Sequence, residues 1–80
     1  MTPISWTNPV RLSFGRGEAV TIEGPRDALD YLLSMWPLSD GEMFQAAKTA
    51  CMEADAGVIP IEESREALIA AAREANLKLV

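Results

Sequence analysis

A single cysteine and the absence of histidine bound the chemistry open to this chain. Without histidine it lacks the commonest general base and the commonest metal ligand. Cys51 could serve as a nucleophile only as a thiolate held by an activating neighbour. It stands instead among Ala47, Ala50 and Ala54 at helical spacing, where a free thiol acts as a small apolar side chain, so a buried structural cysteine is the stronger reading. Carboxylates pair as Asp27 with Asp30, Glu53 with Asp55 and Glu62 with Glu66. Acid–base work needs one of them dry and raised in pKa, and the helical pattern puts them on solvated faces. An all-oxygen metal site would suit magnesium or calcium, but no calcium-loop spacing occurs. The Gly15-Arg16-Gly17 triplet lacks the spacing of a phosphate-binding loop and falls between two strand-like runs, where it reads as a turn. No catalytic, cofactor-binding or metal-ligating residue is assigned.

Binding remains. In "SMWPLSDGEMF", residues 34–44, tryptophan offers large contact area of the kind that anchors interfaces. Trp36 also continues an apolar helical stripe, so core burial is the stronger reading for it and an exposed anchor the weaker. Trp6 either caps a hairpin or stays exposed. The candidate interaction surface is Trp36, Pro37 and Leu38, with Arg65 or Arg26 at its rim.

The elements that must carry these residues follow from periodicity. Val10, Leu12 and Phe14 alternate with Arg11 and Ser13, and Val20 and Ile22 with Thr21 and Glu23, which predicts a β-hairpin over 9–23 with Leu12 opposite Val20 and Val10 opposite Ile22. Two strands are marginal alone in water, so helices must cover the apolar face. A first helix over 25–36 has Gly24 as cap, Pro25 in its first turn and Ala28, Leu29, Leu32, Leu33 and Trp36 as its stripe; Pro37 stops it, leaving Trp36 as last residue or cap. A second over 40–56, capped by Ser39 or Asp40, has Met43, Phe44, Ala47, Ala50, Cys51 and Ala54 as its inner face and Gly57 as a left-handed stop. A third over 61–75 carries Glu62 and Glu63 at its start, Leu68, Ala71, Ala72 and Ala75 inside, with Ala67 alongside, and Asn76 as a left-handed stop. Its alanines let helix backbones approach closely. Residues 77–80 alternate as a short third strand, and 1–5 read as a loose end.

Eighty residues make one domain, and 49% hydrophobic with 24% charged residues suffices for a packed core. One cysteine permits no internal disulfide and fits a reducing cytoplasm. Neither an export signal nor about 18 uninterrupted apolar residues is present, so no membrane role is expected. Seven cations against twelve carboxylates give a net charge of −5, with the cations scattered, which repels nucleic acid.

The order of features resembles a small bacterial family, domain of unknown function 982, over about residues 6–80. The resemblance rests on Pro9 and Val10, Val20, the Ala28 to Leu32 helix, Trp36-Pro37, Gly41, Ala47 with Cys51, Gly57, and Arg65 with Ala67, Ala71, Ala72 and Ala75. Leu68 and Ile69 stand where the family pattern leads one to expect an aromatic. The resemblance implies a short single-domain α+β fold and supplies no catalytic residues, leaving Trp36, Pro37, Cys51 and Arg65 as positions of interest. The expectation is an α+β hairpin packed against three helices, acting as a cytoplasmic protein-interaction or regulatory module with a protein partner or as a homodimer. The alternative is a small-molecule binder or minor enzyme with a pocket between helices and sheet, using Cys51, Arg65 or Tyr31.

Overall fold

The computed structural model describes residues 5–14, 19–37 and 40–80. Its elements run β1 (Val10–Ser13), β2 (Ala19–Ile22), α1 (Pro25–Ser34), α2 (Glu42–Asp55), α3 (Ile61–Glu74) and β3 (Lys78–Leu79), an α+β fold. Val10 pairs with Ile22 and Leu12 with Val20, the register that alternation predicts, while the Gly15 to Gly17 turn lies outside the described residues. β3 pairs antiparallel with β1, placing Leu79 opposite Leu12, so the order is β2-β1-β3 and the first strand is central.

The helices cover one face of this sheet. Val10, Leu12 and Ile22 are buried in one cluster with Ala28, Leu32, Phe44, Ala47, Cys51, Leu68, Ala71 and Ala72, while Arg11 and Thr21 face solvent. α2 packs on both α1 and α3, and α3 lies against β1 and β3. The α2/α3 contact is largely alanine and cysteine, which lets the two helices approach closely at little cost in side-chain entropy.

Two helix ends follow one rule. α2 stops with Gly57 at φ 81 and α3 with Asn76 at φ 59. In each, the left-handed residue donates to the carbonyl three back (Gly57 N to Ala54 O, Asn76 N to Arg73 O), and the next donates five back (Val58 N to Glu53 O, Leu77 N to Ala72 O). These paired bonds satisfy carbonyls that the helix ends would otherwise leave open. Gly57→Ala meets open space yet must hold a positive φ, so it is expected to cost about 1 kcal/mol in chemical denaturation.

Three expectations need correcting. α1 ends at Ser34 with Met35 as its cap, so Trp36 stands outside the helix: the proline restricts the residue before it, and the chain leaves the helix ahead of that residue. Leu33 is 68% exposed and Met43 exposed, because the buried stripe of α1 centres on Pro25, Ala28 and Leu32 and Leu33 turns about 100° past Leu32. Asp40 does not cap α2, whose N-cap is Gly41 without a side-chain cap of its own; Ser39 lies outside the described residues.

Candidate functional site

The cap of α2 comes from the far end of α3. Glu74 accepts from Phe44 N at Oε1 and Met43 N at Oε2, both at 3.1 Å, serving two of the four N–H groups that an α-helix start leaves open and placing a carboxylate at its positive end. Gly41 makes room for it, since a Cβ there would overlap the carboxylate. Its φ of −74 is ordinary, so glycine is needed here for space and not for backbone freedom.

Trp6 is 4% exposed. Its Nε1 donates to Ile61 O at 2.9 Å and to Ser64 Oγ at 3.0 Å, and its backbone N to Glu23 O at 2.8 Å. Ser64, itself buried, passes its hydroxyl proton on to Ile61 O. Thr7 N donates to Glu62 Oε2 and Arg65 Nε to Asn8 O. These bonds strap residues 6–8 across the start of α3.

Arg65 is therefore engaged by the strap and pairs with Glu66 at 3.6 Å. Trp36 lies against Phe14 edge to face at 5.7 Å, and Phe14 stacks on Tyr31 at 6.0 Å. Arg65 thus meets the chain at residue 8 and Trp36 at residue 14, about 20 Å apart along extended backbone. The geometry separates Arg65 from Trp36. Trp36 is 8% exposed, and its Nε1 has no acceptor among the described residues; Pro37 beside it is exposed; Leu38 lies outside the described residues. Arg26 is exposed at the opposite end of α1.

Cys51 is completely buried. Burial pushes its thiol from 9.0 up to about 12, which opposes thiolate formation. The folded state holds this proton more tightly than the unfolded state. The resulting stability is complete below about pH 9 and is lost as pH rises towards 12. The melting temperature is expected to fall more steeply above pH 9 in the wild type than in Cys51→Ala, and a thiol reagent at neutral pH to react only at the rate of unfolding.

The paired carboxylates serve the fold: Asp27 accepts from Glu23 N across the start of α1, and Glu62 holds the strap. Among the described residues no group of three or more acidic or cysteine side chains could hold a metal ion, and no helix is long and apolar enough to cross a membrane.

What the sequence reading did not find is an apolar surface where α1 ends and α2 begins. Leu33 is 68% exposed and Met35 50%, with Pro37 and Met43 exposed as well. Two of these, Leu33 and Met43, were hidden by the helical pattern that made them core candidates. This corner can seat another apolar surface; it holds no group suited to bond making.

A family model described as Protein of unknown function (DUF982) matches residues 8–79. Trp6 and Thr7 precede that match, although they are tied to α3. No curated protein and no solved structure matches the chain.

Proposed function

Because the chain belongs to the family described as Protein of unknown function (DUF982), whose membership brings no activity, we propose its role from its own surface: a small cytoplasmic protein-interaction or regulatory module without catalytic activity. The observation that carries this reading is the exposure of Leu33 and Met35 next to Pro37. Contiguous exposed apolar side chains cost solubility and mark interaction sites more often than scattered ones do. Trp36, buried beneath the same corner, stiffens it through Phe14 and Tyr31. The lone, protonated Cys51 fits a reducing compartment.

The test is capture of the tagged, full-length chain from a lysate of its native cell, read by mass spectrometry against a tag-only control. A protein recovered in near-stoichiometric amount is the expected result. Recovery of the bait alone, with no self-association by sedimentation, overturns the reading.

A further inference from the structure

The same corner carries a charge pattern that selects its occupant. From Asp27 to Ala47 the chain has Asp27, Asp30, Asp40 and Glu42 and no lysine or arginine. Asp30, Asp40 and Glu42 are exposed, on the segments that also present Leu33, Met35 and Met43. The short 35–41 connection places the end of α1 and the start of α2 at one end of the helix pair. An apolar centre, two of its three side chains methionine, is thus accompanied by carboxylates with no cation among them. Methionine suits such a surface, because its unbranched, polarizable side chain adapts to the shape of what it receives.

We infer that this corner binds a basic amphipathic helix of a partner protein. The apolar face of that helix seats on Leu33, Met35 and Met43, and its lysines or arginines face Asp30, Asp40 and Glu42. A helix with one apolar and one cationic face matches both features at once. A second copy does not: a two-fold contact sets the same patch against itself and brings carboxylate to carboxylate. An anionic membrane surface is repelled for the same reason. The inference rests on the interaction-module reading and adds the partner's chemistry.

The probe is a synthetic peptide of leucine and lysine at amphipathic helical spacing, titrated calorimetrically into the full chain, with its leucine–glutamate counterpart as control. Leu33→Ser with Met35→Ser is one double variant, Asp30→Asn with Asp40→Asn the other; all four side chains are exposed, and circular dichroism verifies folding. Binding of the lysine peptide is expected to weaken about tenfold or more in each double variant and with added salt, and the glutamate peptide to bind at least tenfold less tightly. An affinity unchanged by the loss of Leu33 and Met35 overturns the inference, because it places the peptide elsewhere on an acidic surface. Equal binding of both peptides also overturns it. So does a wild-type dimer that the apolar double variant abolishes, which assigns the corner to a second copy. A cellular partner captured equally by wild type and apolar double variant overturns this corner and leaves the module reading standing; no partner for either overturns both.

Discussion

Replacing Trp6 with alanine is expected to cost about 3–5 kcal/mol, a large share of the stability available to a domain this small. The residue is only 4% exposed, and the indole both fills the end of the core and ties three parts of the chain together: its backbone holds Glu23 beyond β2, and its ring nitrogen holds Ile61 and Ser64 at the start of α3. Trp6→Phe keeps most of the packing and loses the Nε1 bonds, so about 1–2 kcal/mol is expected. Trp36→Phe supplies the contrast. No acceptor among the described residues faces its Nε1, so its removal should cost less than the same change at Trp6. Urea unfolding of the three variants measures the difference. Equal costs for the two phenylalanine substitutions would show that the Trp6 bonds contribute nothing beyond packing.

The second large effect concerns the cap of α2. Gly41→Ala drives the Glu74 carboxylate from its place, and Glu74→Ala removes it, so each should cost about 1–2 kcal/mol. Both changes delete the same pair of hydrogen bonds to Met43 and Phe44. The double variant should therefore cost little more than either single one, a strong coupling between residues far apart in sequence. Additive losses would contradict the steric link. Because Met43 opens the apolar corner, this cap also holds one wall of the proposed binding surface in place.

What could be read from the sequence was local. Alternation in 9–23 carried the hairpin register, because a one-residue slip would turn Val10, Leu12, Val20 and Ile22 to the solvent. Gly57 and Asn76 marked helix ends because few other residues hold a positive φ cheaply. The family pattern was legible from residues such as Trp36-Pro37 and Gly57 in order. Contacts between distant segments were not legible. Nothing near Gly41 announces that its cap is Glu74, and nothing near Trp6 announces Ser64, since each pairing exists only once α3 is packed. Leu33 and Met43 were misjudged because periodicity locates the centre of an apolar stripe but not how much of its width the neighbouring elements cover. The candidate site suffered from the same gap: Trp36 drew attention as the large aromatic, whereas the exposed apolar surface beside it is Leu33, Met35 and Pro37. Arg65, placed at the rim by sequence reading, is engaged with Asn8 at the other end of β1.

The most direct measurement of the central claim is a paired capture from native-cell lysate with wild type and the Leu33→Ser, Met35→Ser double variant as baits. Substitutions at such exposed positions should change stability by no more than about 0.5 kcal/mol, so a difference in what is captured reports the surface and not the fold. The account predicts a partner, carrying a basic amphipathic segment, that the wild type retains and the double variant loses. The same proteins recovered in the same amounts by both baits would contradict it.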